Sequence, residues 1–205
     1  MINRIVAAVL VVFGVSMTSR GQEETNLPAT LQNTGFEAPS IVAGGNTGAK
    51  PENWFYFSST AEDNKCGVTA ARKRSGLQSC YLKCLSPTNS YHGLAQKFAA
   101  FPGRHYTFLT YALNNPEDPM AGDAYGQVSV EWHNAQGVEI SRVHGPVWNF
   151  QLPSSKWEKF LVEADAPTDT VAGVAVITFF SQNAGGVGSF YVDDSEITSR
   201  GGVAK

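Results

Sequence analysis

The stretch GSFYVDDSEI, Gly188 to Ile197, sets Phe190 and Val192 on one face and Tyr191 and Asp193 on the other. That period-2 alternation is the mark of a strand with an inside and an outside. The run closes on two adjacent carboxylates, so one of them points to the same side as the apolar residues. An inward carboxylate needs a cation, a metal ion or a set of N–H donors. Two solvated acids at a turn are the plain alternative.

The same pattern recurs along the chain. Short β-branched and aromatic runs occupy residues 53–59, 66–71, 79–85, 94–101, 105–113, 126–134, 139–143, 156–164, 173–181 and 189–197. Between them stand GGNTGAKPEN, SPTNS, FPG, NNPEDPMAGD, NAQG, DAPTD and NAGGVG, clusters of the residues that reverse a chain. Past the N-terminus no window keeps helical periodicity, and about ten antiparallel strands with turns this frequent predict an all-β sandwich.

The first 21 residues, MINRIVAAVLVVFGVSMTSRG, carry Arg4, an apolar run from Ile5 to Val15, and small Ser19 and Gly21 before Gln22. They are read as a secretory signal peptide cleaved near Gly21, which predicts a secreted protein, extracellular or periplasmic. Residues 22–30 then form a linker, 31–198 one domain and 199–205 a flexible tail. No later run approaches the roughly 20 apolar residues of a membrane helix. The first cysteine is Cys66, so no lipid-anchor cysteine stands at the cleavage site. A formal charge of −3 without a basic stripe argues against nucleic acid or anionic membrane as partner. The dense basic group RKRSG, Arg72 to Gly76, lies between two strands and reads as a solvated hairpin turn.

Export makes a disulfide possible. Cys80 and Cys84 lie four apart on one strand, some 13 Å by strand rise, and cannot join each other. Cys66 is therefore the shared partner. A three-residue RSG loop with Gly76 left-handed places Cys66 opposite Cys84 and favours that pair over Cys66 with Cys80. No spacing of Cys and His suits zinc or redox chemistry.

Alternation also assigns faces. In 105–113, Tyr106, Phe108 and Thr110 oppose Thr107, Leu109, Tyr111 and Leu113, with apolar groups on both sides. In VSVEWH, Val128, Val130 and Trp132 fit a core face, and Ser129, Glu131 and His133 a polar face open to a ligand. Trp132, Trp157 and Tyr106 are read as core, whereas Trp54 is left between core and surface.

The ordered set LQNTGFE (31–37), PENW, RSGLQS, PGRHYTF, VEWHNAQGVEI, KWEKFLVEADAP and GVGSFYVDD resembles the CenC-like carbohydrate-binding modules, families 4, 9 and 22 and their relatives. The resemblance covers about Leu31 to Thr198 and implies a jelly-roll β-sandwich similar to galactose-binding domains. It also implies a structural calcium ion, Ca2+, held by the side chains of Glu37 and Asp193, with carbonyls of Lys73 or Ser75 from the RKRSG turn. Calcium's six to eight hard oxygen ligands suit such a mixture. A sugar cleft needs a flat aromatic ring beside donors and acceptors. Tyr111, Glu131 and His133 are expected to project into it, Trp148 and Tyr125 to form platforms at its rim, and Gln96 to reach it.

These features predict a non-catalytic protein that binds a polysaccharide or oligosaccharide, alone or beside a separately encoded glycan-active enzyme. The alternatives are a structural or adhesive surface protein and a small polysaccharide lyase or hydrolase. A hydrolase needs two carboxylates ~5 to 10 Å apart, and a lyase could use Tyr111 with His133. Serine elbows, zinc spacings and phosphate loops are missing from the sequence.

Overall fold

The computed structural model describes residues 30–41, 45, 48–60, 64–85, 89–182 and 185–201. The predicted signal peptide, most of the linker and the last four residues lie outside the described residues. Ten strands are described: β1 Phe55–Ser58, β2 Asn64–Thr69, β3 Ser79–Cys84, β4 Ser90–Ala99, β5 His105–Asn114, β6 Tyr125–His133, β7 Glu139–Trp148, β8 Glu158–Asp165, β9 Ala172–Ser181 and β10 Gly188–Arg200. They form two five-stranded antiparallel sheets, β1-β4-β9-β6-β7 and β2-β3-β10-β5-β8. No described helix is long and apolar enough to cross a membrane.

The core lies between the sheets. Leu94, Phe98, Val128, Val130, Trp132, Ile177 and Phe179 come from one, and Leu82, Phe108, Ala112, Phe190 and Val192 from the other. Trp132 packs on Phe98 and Tyr106 with ring centroids 6.3 and 5.3 Å away, so both Trp132 and Tyr106 are core as expected. Trp54 is buried too, against Phe36 at 5.4 Å, with its Nε1–H donated to the Asn33 carbonyl. Trp157 is only half-buried.

Two strands differ from the sequence reading in ways that matter below. β4 begins at Ser90, because Tyr91 to Gly93 pair with β9 although SYHG reads as a turn. β7 runs on through His144, Gly145 and Pro146 to Trp148. Proline is tolerated there because β7 is an edge strand, and a register shift between Gln127 and Ser129 of β6 absorbs the irregularity. β10 continues to Arg200, so the predicted tail begins later than residue 199.

His92 of β4 faces this core, stacked on Phe179 at 5.1 Å and edge-on to Tyr56 at 6.2 Å. It is fully buried, and neither ring nitrogen has a hydrogen-bond partner among the described residues. Burial, with the nearby Lys50 charge, pushes its pKa down to about 3.

The β2–β3 hairpin corrects the Cys66–Cys84 assignment. Thr69 pairs with Ser79, so the loop spans residues 70–78 and not RSG alone. Gly76 is left-handed, φ 57°, as expected. The longer loop moves Cys66 opposite Leu82, with Cys80 and Cys84 two residues to either side. The Cys66 and Cys80 sulfurs are 3.5 Å apart, and all three cysteine side chains are buried.

Oxidation is accordingly expected to join Cys66 to Cys80 and leave Cys84 as a thiol. Non-reducing peptide mapping reads this directly, and a Cys66–Cys84 peptide would contradict it. Closing a loop of this length is worth about 3 kcal/mol, so reduction should lower Tm without unfolding the protein.

His92 carries a pH prediction. It stays neutral in the fold while the unfolded chain takes up a proton below about 6.5, so its contribution is present above that pH and is lost as pH falls toward 3. His92→Leu removes this loss. Relative to the parent, the variant should gain on the order of 3 kcal/mol between about pH 7 and pH 4, read from thermal melts. A difference independent of pH would overturn the assignment.

Candidate functional site

The outward face of β1-β4-β9-β6-β7 is assembled by register. Phe57, Gly93, Thr178, Gln127 and Val147 form one row across the five strands, and Phe55, Ala95, Val176, Ser129 and His144 the next. Lys97, Val174, Glu131 and Arg142 form a third, and Ala99, Ala172, His133 and Glu139 a fourth. Ala95, Val174 and Val176 are at most 2% exposed although they point away from the main core, where they form a second apolar cluster with Phe57 and Tyr91. Small residues in the middle and large ones around them make a trough.

Rings line one end of it. Phe57 and Tyr91 lie 6.5 Å apart between centroids, Tyr91 and Phe180 6.4 Å, and Phe180 and Tyr125 4.7 Å in a stacked pair. Cross-strand pairing puts them there, since Tyr91 and Tyr125 both sit opposite Phe180. Beside Tyr125 opens a cavity of ≈ 590 Å³ lined by Asp123, Gln127, Val147, Asn149 and Phe150. Val147 and Phe150 are half exposed on its rim, at 51% and 56%.

Ions occupy the opposite end. Glu131 is 1% exposed, and its two oxygens meet His133 Nε2 at 3.2 Å and Arg142 Nη2 at 2.8 Å. Arg142 also grips Glu139 through Nε and Nη2 at 2.9 and 2.8 Å. His133 Nδ1 is 3.1 Å from the Gly137 carbonyl. Burial pulls the His133 pKa down, but the Glu131 carboxylate, the Gly137 carbonyl and Glu139 outweigh it and raise the pKa above its ordinary value. Each ring nitrogen of His133 thus has an oxygen acceptor beside it.

Glu131, His133 and Tyr125 therefore lie on one face as expected, and three other expected residues do not. Tyr111 belongs to the other sheet, and the Arg74 guanidinium covers its ring at 3.5 Å. Trp148 is no rim platform. It ends β7 buried at 3%, packed on Phe160 and Phe190, in space left by Gly126, where a Cβ would lie 2.1 Å from its ring. Gln96 faces inward and holds the Gln32 backbone, accepting from its N–H at 2.5 Å and donating to its carbonyl at 2.9 Å. The sequence reading missed Phe57, Tyr91 and Phe180. Alternation gave no signal for Tyr91 and Phe180, whose pairing follows from the register of β4 on β9.

The predicted calcium residues meet at one end of the other sheet. Glu37 Oε1 accepts the N–H groups of Leu77 and Gln78 at 2.9 and 3.2 Å. Asp193 Oδ2 accepts those of Arg74 and Ser75 at 2.8 and 3.3 Å, and its Oδ1 accepts the N–H of Asp194 at 2.8 Å. A β-bulge after Asp193, with Asp194 at φ 48°, turns Asp194 outward to pair with Arg74 and accept from the Ser75 hydroxyl at 2.6 Å. N–H donors thus meet the inward carboxylate of the DD pair. Burial, then the Asp194 charge, pushes Asp193 up to about 7 against the pull of these N–H groups. Ser75 meets the acids as a donor, and no contact joins Lys73 to them. Among the described residues no group of three or more His, Cys, Asp and Glu side chains is arranged to hold a metal ion.

No family model and no curated protein matches the chain. Solved structures do. A cyclase from Fischerella sp. TAU in complex with 4-(1H-Indol-3-yl)butan-2-one is 15% identical with a TM-score of 0.60, over 87% of this chain and 98% of that one. The CBM22-1 xylan-binding domain from Paenibacillus barcinonensis is 14% identical with a TM-score of 0.51, over 78% of this chain and 97% of that one. The enzymatically active domain of bacteriophage CBA120 tailspike protein 4 is 14% identical with a TM-score of 0.53, but this chain spans only 20% of it. Likeness at these identities establishes the fold, the jelly-roll sandwich of carbohydrate-binding modules.

Proposed function

We propose that this protein is a secreted, non-catalytic carbohydrate-binding protein that holds a polysaccharide in the trough across β1-β4-β9-β6-β7. The observation that carries the reading is the row of rings Phe57, Tyr91, Phe180 and Tyr125 above a floor of small residues. Sugar C–H faces pack on such rings, while the half-buried Gln127 offers a donor and an acceptor to the rim hydroxyls. The xylan-binding domain of the same fold supports this class of ligand.

Catalysis has weaker support. Glu131 and His133 are engaged with each other and with Arg142 and Gly137. The pair suspected for a lyase is split, with Tyr111 on the other sheet from His133. The cyclase of the same fold makes a small aromatic molecule the competing occupant, which the same rings would accept.

Pull-down on insoluble β-linked polysaccharides, beside an assay for released product, tests the reading. At least one polymer should be retained with no product formed. Tyr125→Ala and Phe180→Ala should each weaken retention at least about fivefold, since a stacked ring is worth ~1 kcal/mol, and Tyr111→Ala should leave it unchanged. A silent panel beside tight binding of an indole would overturn the reading.

Calcium at Glu37 and Asp193 is part of this proposal. Glu37, Asp193 and Asp194 converge around Gly35, where an added Cβ would lie 3.7 to 3.9 Å from all three side chains. One guanidinium, Arg74, pairs with them. The excess negative charge and the raised Asp193 suit a divalent cation, with turn carbonyls completing its oxygen shell. The ion would supply neutralisation and a tie between the first segment and β10. A chelator should lower Tm and added calcium restore it, and Glu37→Gln or Asp193→Asn should remove that response. Identical melts with and without chelator would remove calcium from the account.

A further inference from the structure

We propose that the trough selects an acidic glycan, with the Lys97 ammonium receiving the anionic substituent of one sugar. This rests on the carbohydrate-binding reading above and names the class of polymer that the same face would take.

Lys97 points outward because its neighbours point in: Gln96 holds the Gln32 backbone and Phe98 lies in the core. Its register neighbour on β9 is Val174, and Ala95 and Ala99 flank it on the same face of β4. The side chain is half-buried, and its ammonium makes no hydrogen bond or ion pair with any described residue. A cation partly withdrawn from water beside apolar groups gains most from an anion that arrives with the ligand.

The other charges of this face leave that role to Lys97 alone. Arg142 and His133 are engaged by Glu131 and Glu139, each within 3.2 Å of a partner. His144, on the row between, is pulled below its ordinary pKa first by burial and then by Arg142. Among the described residues of these four rows, Lys97 is the cation left without an ionic partner.

Tyr91 and Lys97 lie six residues apart on β4, about 20 Å by strand rise. The stacked ring and the charged substituent thus belong to different sugars of one chain. A carboxylate of a uronic acid and a sulfate ester share the chemistry that Lys97 reads, and the probes separate them.

The test is affinity electrophoresis of the whole protein in a neutral xylan, in the same xylan carrying uronic acid side groups, and in a sulfated polysaccharide. At low salt one acidic polymer should be retained about tenfold more tightly than the neutral one, and salt should erase the difference. Uronate above sulfate, or the reverse, identifies the source of the anion. Lys97→Met should abolish the preference while leaving neutral binding, Lys97→Arg should keep it, and Lys65→Met on the other sheet should change nothing. Equal retention of neutral and acidic polymers, or a preference that survives Lys97→Met, overturns the proposal and leaves carbohydrate binding standing. Binding of no polymer overturns both.

Discussion

β9 is buried on both faces, and the rest of the molecule is arranged around that constraint. Its inward residues Ala175, Ile177 and Phe179 join the core between the sheets, while Ala172, Val174 and Val176 are just as inaccessible on the outside. It pairs along nearly its whole length with β4 on one side and β6 on the other. A central strand so placed can carry only small side chains outward if the sheet is to keep an open trough. The larger and the charged side chains of this face then come from the flanking strands, rings from β1, β4 and β6 and ions from β4, β6 and β7. Phe180 is the exception, and it stands at the end of the floor, where it continues the aromatic row.

The acid cluster answers a different need. Glu37 precedes β1, Asp193 lies in the last strand, and the amides they accept belong to the β2–β3 turn. Three distant pieces of chain are thereby tied at one sheet end. Gly76 is required in this arrangement, for it is left-handed and a Cβ there would lie 2.1 Å from Glu37 Oε1. The cluster belongs to the sheet that does not form the trough, and Tyr111 of that sheet lies under Arg74 beside it.

Much of this was legible in the sequence where one rule acted alone. Alternation placed Val128, Val130 and Trp132 inside and Glu131 and His133 outside, because one face of β6 is apolar throughout. It could not decide for Tyr91 and Phe180, whose strands are apolar on both faces, nor for Trp148, whose burial depends on Gly126 of another strand. Gly145 and Pro146 read as a loop because their propensities are local, whereas an edge strand with a register shift tolerates both. The cysteine pairing failed on loop length. The turn runs from residue 70 to 78, with the amides of Arg74 and Ser75 on Asp193 and those of Leu77 and Gln78 on Glu37, and that length sets Cys66 beside Cys80.

The ionic end of the trough bears on how such a face could bind anything well. Glu131 is a carboxylate withdrawn from water, a costly placement unless every oxygen is met. His133 stands at 3.2 Å from Oε2 and Arg142 at 2.8 Å from Oε1, the latter an ion contact that leaves Oε1 without a hydrogen bond among the described residues, and Arg142 carries the tie on to Glu139 at the start of β7. The pairing of β6 with β7 shifts register on both sides of this point, between Gln127 and Ser129 and between Trp132 and His133. An ion pair whose members have fixed partners therefore holds the wall where the ladder is irregular. A wall fixed before the ligand arrives loses less conformational freedom on binding than a mobile one. Under the proposed function the buried charges would prepare the trough, and contact with a ligand would fall to the rings and Lys97.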